Sequence, residues 1–371
     1  MPTTKPKRRE FLQLAHKYDP TAKKVPDISG WLVSEKLDGT RCFWDGGLSR
    51  GQPTETVPWA NVIDPKTGNR KGKIKPTATG LWSRYGNPIM APDWWLNQLP
   101  CIPLDGELWA GRGNFQLCRS ICAGDSPDDR FDQIQFAVYS TPPLEAVFGD
   151  GEIKNTNFHA MIGYDSVRTW VQQRMVVVEN FQALPGGLPF ARELEFLGDA
   201  LQTQMANVYM HQQTRLPDTA AEAQVAVERQ LEKALHRGGE GLILRAPDAL
   251  WLPKRVRSIL KYKPFSDAEG TVVGYTSGRE TDKGSKLLGL IGSLILDYKG
   301  KRLELAGLTN EERLFATPEM ASHATDNPGV DMPKWFEGKH FNLGAIVSFK
   351  YRELSDDGIP KEARYWRKPS L

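Results

Sequence analysis

Short apolar runs recur along most of the chain and predict strands, while one segment changes to a helical repeat. Residues 33–44 place apolar side chains on both sides of a polar turn, and 135–139 reads as a short aromatic strand. Residues 218–237 predict a helix: Val227, Leu231 and Leu235 recur at four-residue spacing, and Gly238-Gly239 stops it. Residues 241–245 then read as a buried strand. Beyond Pro264 the character changes. Residues 271–275, 293–298, 302–305 and 345–351 predict short strands punctuated by Gly and Asp, as in a small barrel. Thr309 and Glu312 form a capping-box pattern that predicts one helix within this region. Residues 45–80, rich in Gly, Pro, Thr and Lys, read as a long loop between two strands; loops of that length usually serve function or are mobile. No internal repeat is visible.

Composition adds limits. A chain of 371 residues is long for one hydrophobic core and comfortable for two domains, expected at 1–265 and 266–371. Apolar residues at 40% and charged residues at 25% are those of a soluble globular protein, and a net charge of +3 fits a polyanion binder with a localised basic patch. No apolar stretch reaches the roughly 18 residues that a membrane span needs. The start carries Lys5, Lys7, Arg8, Arg9 and prolines, without the apolar run of a signal peptide, so a cytoplasmic location is expected. Cys118 and Cys122 have helical i,i+4 spacing, but no second pair or nearby His completes a zinc set, and reduced cysteines are expected.

Four short stretches carry chemistry. In Lys36-Leu37-Asp38-Gly39-Thr40-Arg41 a lysine precedes a Gly turn between charged neighbours. A lysine amine attacks phosphorus only when neutral, so nearby positive charge or desolvation must lower its pKa. Leu104-Asp105-Gly106-Glu107-Leu108 offers a carboxylate at a Gly turn, suited to a ribose hydroxyl or a metal. Glu240-Gly241-Leu242-Ile243-Leu244-Arg245 opens a buried strand with another carboxylate. In Leu260-Lys261-Tyr262-Lys263-Pro264 two lysines at i and i+2 on a strand share one face and suit phosphate oxygens. Taken singly, each stretch also reads as a solvated turn or strand edge.

Together and in this order, the four resemble the covalent nucleotidyltransferases: DNA ligases, RNA ligases and mRNA capping enzymes. The likeness covers almost the whole chain and runs closest to the minimal ATP-dependent DNA ligases of the bacterial Lig E, periplasmic type and to small phage ligases. It is carried further by Tyr18-Asp19-Pro20, Val33-Ser34-Glu35, Ser83-Arg84-Tyr85-Gly86-Asn87-Pro88, Gly111-Arg112-Gly113-Asn114-Phe115 and Leu288-Gly289-Leu290-Ile291-Gly292-Ser293-Leu294. The resemblance implies an α+β chain: an adenylyltransferase domain with antiparallel sheets and flanking helices, then a small OB-fold β-barrel.

It also implies roles. Lys36 would be the adenylylated nucleophile, with Ser34 near the adenine amino group, Glu35 beside the nucleotide and Glu107 near the ribose. Tyr139 would stack on adenine. Lys261 and Lys263 would hold the α-phosphate. Glu240, with Glu107 and Asp38, would face Mg²⁺ or Mn²⁺. Arg41 would meet the nucleotide or the 5′-phosphate of the nick. Ser83 and Arg84 match the motif that meets DNA phosphates, and Arg367 and Lys368 match a final basic pair. The cofactor would be ATP, and the partner nicked double-stranded DNA, encircled or gripped by a monomer. Ligation of RNA ends, capping with GTP and an inactive nick-binding protein are the competing readings; residues 83–86 and the 288–294 glycine pattern favour DNA ligation.

The chain departs from the pattern at four places, one of them the tail 360–368, where the family reads roughly Pro-Arg-Phe before its final basic pair. Tyr139-Ser140 stands where the family usually has Phe-Asp. The connection at 45–80 is much longer than the family's tight one, and its Lys66, Arg70, Lys71, Lys73 and Lys75 suggest tracking of DNA phosphates, against the plainer reading of a solvated loop. The missing signal peptide points to a cytoplasmic or virus-encoded relative.

Overall fold

A computed structural model describes residues 11–64, 67, 69–148, 169–171, 173, 187–201, 206–280, 286–355 and 357–366. Lys66, Arg367 and Lys368 lie outside the described residues. The chain divides between Tyr262 and Lys263 into two compact units.

The first unit is built on two five-stranded sheets. One contains β1 (Leu14–Lys17), β2 (Leu32–Glu35), β8 (Thr214–Arg215), β9 (Leu242–Arg245) and β10 (Arg255–Tyr262), in the order β1-β10-β9-β2-β8. The other contains β3 (Thr40–Asp45), β4 (Leu81–Ser83), β5 (Pro103–Trp109), β6 (Gln135–Ser140) and β7 (Val208–Met210), in the order β4-β3-β5-β6-β7. Most strand pairs are antiparallel, as expected, and each sheet adds one parallel pair. β1 runs parallel to β10 and β6 parallel to β7. Long stretches of chain separate the strands of each such pair, and a parallel pair requires a long crossover.

The two strands read at 33–44 belong to different sheets. β2 pairs with β9 and β8, whereas β3 pairs with β4 and β5. Residues 36–39 are therefore the point where the chain steps from one sheet to the other. Gly39 is required there by close approach: an added Cβ would lie 2.2 Å from the Leu108 carbonyl oxygen of β5.

The predicted helix is present as Ala220–His236. Its buried stripe is Ala223, Val227, Leu231 and Ala234, packed with Leu242, Leu244 and Leu260 of the first sheet. Leu235, expected in that stripe, is 38% exposed. A strict spacing of four drifts off a 3.6-residue repeat, and Ala234, three residues after Leu231, takes its place. Burial of Val227 and Leu231 contributes about 1.5–3 kcal/mol each.

The 45–80 segment is not a solvated loop. Leu48, Val57, Trp59, Ala60 and Ala78 are buried in one core with Phe43 and Trp82. Trp59 meets the Trp82 ring edge-on at 5.8 Å and the Trp170 ring at 5.0 Å. Backbone bonds close its base, Gly51 N to Ala78 O at 2.8 Å and Thr54 N to Pro76 O at 2.9 Å. The few apolar anchors are diluted by Gly, Pro and Thr, which hid them from composition.

The second unit has a five-stranded sheet of β11 (Ser266–Ser277), β12 (Ile291–Tyr298), β13 (Lys301–Leu305), β14 (Ile346–Tyr351) and β17 (Arg364–Tyr365), ordered β13-β12-β11-β14-β17. Two short strands, β15 (Glu353–Leu354) and β16 (Pro360–Lys361), pair antiparallel beside it. A single bridge, Ala306 to Arg364, links the two ends of the larger sheet, so the barrel is partly open. Val272, Leu294, Leu296, Phe336 and Phe349 fill it. Thr309 and Glu312 make the capping-box bonds, with Thr309 N donating to Glu312 at 2.7 Å, yet only a turn follows. The helix of this region is Pro318–Asp326, capped by Thr317. Pro318 at its first turn fixes the start, which the earlier pattern does not.

Candidate active site

A cleft of about 210 Å³ lies between the two sheets of the first unit. Ser34, Glu35, Lys36, Arg41, Glu107, Tyr139 and Lys261 all line it, together with Arg84. Residues drawn from β2, β3, β5, β6 and β10 thus converge on one cavity. Asp38 is exposed and Ser83 faces elsewhere; neither lines this cleft. Lys263 is the residue after the end of β10, and it does not line this cleft.

Lys36 sits at the step between the sheets. Its backbone N donates to Gly241 O at 2.8 Å, and its ammonium ion-pairs with Glu240. Both side chains are largely buried, at 23% and 14% exposure, so the pair is screened less than a surface one. Burial pushes the Glu107 carboxyl up to about 7, against the opposing pull of Lys36 and Arg41.

Around this centre lie groups that the sequence reading passed over. Asp105, fully buried on β5, accepts from Arg41 Nε and Nη2 at 2.7 Å each and from Trp251 Nε1 at 2.9 Å. This fork holds the Arg41 guanidinium 4.8 Å from the centre of the Tyr139 ring. Arg245 lies 5.5 Å from the same ring and 4.2 Å from Phe190, so cations and aromatic faces alternate along one wall. Burial lowers the Arg245 pKa, opposed by Glu193 and Asp105. Glu35 accepts both forks of Arg112, at 2.8 and 2.6 Å, and the His211 ring bonds to its carbonyl at 2.8 Å. Phe136 is fully buried in the core, while Tyr139 faces the cleft, as odd spacing on a strand requires.

The arrangement suits a nucleotide. An amine is aimed at a cavity that holds a second lysine, four arginines and an aromatic face. Among the described residues no three His, Cys, Asp or Glu side chains cluster as metal ligands. Mg²⁺, however, is usually held by one or two carboxylates plus substrate phosphates, and Glu240 and Glu107 fit that pattern. Asp38, exposed and away from the cleft lining, does not join them.

No protein-family model matches the chain. Among curated proteins it is similar to a DNA ligase of Haemophilus influenzae, 21% identical over 357 residues, covering 96% of this chain and 91% of that protein. Among solved structures it is similar to one described as "DNA binding with a minimal scaffold: Structure-function analysis of Lig E DNA ligases". The TM-score is 0.57 at 23% identity, covering 96% of this chain and 98% of that one. A structure described as Pmar-Lig_Pre matches with a TM-score of 0.52 at 16% identity, over 96% of this chain and 66% of that one. The fold is therefore the two-part ligase fold, a nucleotidyltransferase unit followed by an OB-fold unit. No helix among the described residues is long and apolar enough to cross a membrane.

Proposed function

We propose that this chain is an ATP-dependent DNA ligase that seals nicks in duplex DNA through a covalent lysyl-AMP. The observation that carries the reading is the Lys36 amine, paired with Glu240 inside a cleft walled by Lys261, Arg41, Arg245 and the Tyr139 ring. The likeness to DNA ligases along the whole chain supports it.

Lys36 attacks the α-phosphorus of ATP: a bond forms from Nζ to phosphorus, the bond to the bridging oxygen breaks, and pyrophosphate leaves. The AMP then passes to the 5′-phosphate at a nick, and the adjoining 3′-hydroxyl displaces it. Each step spreads negative charge over phosphate oxygens, which preorganised cations stabilise. Lys261 supplies one such charge from β10, and Arg84 another from the end of β4. Tyr139 offers its ring to the adenine, and Ser34 its hydroxyl. Arg41 is held in place by Asp105 and orients the ring. Lys263, from the second unit, is assigned to the phosphates by its place in the motif, as are Ser83, Arg367 and Lys368 to DNA. A Mg²⁺ ion at Glu240 and Glu107 would neutralise phosphate charge and, by engaging Glu240, ease the loss of a proton from Lys36. The protein acts as a monomer on nicked duplex, in the cytoplasm.

The test uses ATP labelled at the α-phosphate. Wild type takes up label covalently and seals a nicked DNA duplex, and GTP does not replace ATP. Lys36→Arg does neither, because arginine stays protonated. Label on Lys36→Arg would move the nucleophile elsewhere, and exclusive sealing of a nicked RNA duplex would change the substrate class.

A further inference from the structure

The first unit has a second, larger cleft of about 460 Å³. Its walls are the 45–80 insertion, the turn after β4 and the helix Phe115–Ala123. Lys71, Lys73 and Lys75 of the insertion and Arg119 of the helix line it, and Asp125 is the acidic residue among its lining. Asp125 pairs with Lys73 at the exposed rim, so the cleft keeps an excess of positive charge.

Two further features point to an anion inside. The Thr54 hydroxyl is buried, with Thr54 at 1% exposure, and its Oγ1 has no hydrogen-bond partner among the described residues. Such orphaned groups are rare and call for an unplaced partner. Lys75 is half-buried, its ammonium donates to Pro88 O at 2.8 Å, and burial pushes its pKa down, opposed by Asp125. Asn61, Asn87 and Ser83 add neutral hydrogen-bonding groups. Alternation along the strands fixes where this cleft lies. Thr40 and Ser83 line it, while the next residues, Arg41 and Arg84, line the nucleotide cleft. The two clefts therefore open on opposite faces of β3 and β4, and β4 is the edge of its sheet.

We propose that this cleft binds a backbone phosphate of the duplex beside the nick, so that the insertion and the Ser83-Arg84 edge hold one DNA strand between them. The inference rests on the ligase reading. Position in the cleft, and not the lack of another partner, decides which of the insertion's charges take part. Arg70 is tied to Glu55 and stays outside the cleft lining, and Lys73 is tied to Asp125 at the rim. Lys71, Lys75 and Arg119 line the cleft and form the phosphate-binding set. Lysines and arginines bind phosphate by charge and, for arginine, by a paired fork of donors.

The experiment compares wild type with Lys71→Gln/Lys75→Gln/Arg119→Gln in full-length protein. Covalent AMP formation without DNA should be unchanged. Binding to nicked duplex should weaken, and the slope of log affinity against log salt should fall by about 0.9 for each phosphate that the variant no longer neutralises. Equal affinity and parallel slopes, in a wild type that seals nicks, overturn the inference and leave the ligase reading standing. A wild type that forms lysyl-AMP but neither binds nor seals nicked DNA removes the ligase reading, and this site with it. Where the triple variant loses heat stability, Arg119→Gln alone decides, since that side chain is exposed. An unchanged affinity and slope for Arg119→Gln then overturns the inference. Inorganic phosphate added at constant ionic strength separates the sources: strong competition with DNA for wild type but not for the variant would assign the cleft to a free anion instead.

Discussion

Asp105→Asn tests whether the Arg41 fork is a structural necessity. Asp105 is fully buried and accepts three hydrogen bonds, two from Arg41 and one from the Trp251 indole. Burial works against the Arg41 cation, but Asp105 first, then Tyr139 and Glu107, more than offset it, and its pKa lies above the ordinary value. Asparagine is nearly the same size, so packing is kept. It removes the charge and turns one acceptor into a donor facing other donors. Removing one partner of a buried pair typically costs about 3–5 kcal/mol, because the remaining charge is left uncompensated. Arg41 retains 19% side-chain exposure, so the lower end, about 3 kcal/mol, is expected. For a unit of this size that is a fall in Tm of roughly 6–12 °C. Thermal unfolding by circular dichroism measures it, beside the rate of AMP uptake. The double variant Arg41→Met/Asp105→Asn should recover part of the lost stability, since it buries no lone cation. A Tm within about 1 °C of wild type, or losses that simply add in the double variant, would refute the argument.

Other outcomes follow from the same geometry. Tyr139→Ala should raise the KM for ATP by about 5- to 150-fold, and Tyr139→Phe should leave it near wild type, because base stacking needs only the ring and is worth about 1–3 kcal/mol; steady-state kinetics of AMP uptake decide. Phe136→Ala, three residues earlier in the core, should instead cost about 3–5 kcal/mol of stability, read by denaturant unfolding, and a pure KM effect would reverse the two assignments. Glu193→Gln should change how stability depends on pH. Burial is the main reason that the Glu193 pKa is raised, to about 7, so its contribution is complete below the usual carboxylate range and is lost as pH rises through 7. The variant cannot ionise, and should gain on wild type by up to about 3 kcal/mol between pH 5 and pH 8; a difference that stays constant across that range counts against a buried, titrating carboxyl.

The motifs were legible because each packs its chemistry into a few adjacent residues. Lys36, Glu107, Tyr139 and Lys261 meet in one cleft although up to 225 positions separate them in the chain, and Glu240 reaches Lys36 from beside it. Asp105 was within reach of the same reasoning. It stands two residues before Glu107 on a strand, and Arg41, whose backbone is opposite Glu107, reaches it diagonally. Arg245 closes the very stretch that begins with Glu240, yet nothing local says that its partners are Phe190 and Tyr139. The insertion misled for another reason. A loop rich in Gly, Pro and Lys needs only a few large apolar residues to become packed, and Trp59 alone meets two other tryptophans. Mean composition averages such anchors away.

The departure at Tyr139-Ser140 has a structural counterpart that no local pattern carries. The Ser140 hydroxyl donates to the Glu193 carboxylate, which arrives from the helix Phe190–Ala200, 53 residues further along the chain. Glu193 is 1% exposed, and its second oxygen, Oε1, has no hydrogen-bond partner among the described residues. An acidic group is thus present behind the Tyr139 wall even though position 140 supplies none. The small serine leaves room for the longer glutamate and fixes one of its oxygens. The same helix brings Phe190 against the Arg245 guanidinium, so Phe190 and Glu193, three residues apart, lie on one helical face. One helix therefore delivers both an aromatic face and a counter-charge to the buried arginine. A buried arginine with neither would cost more than the fold gains from it. The wall that meets the nucleotide cleft depends on a residue pair that the strand motif alone does not encode.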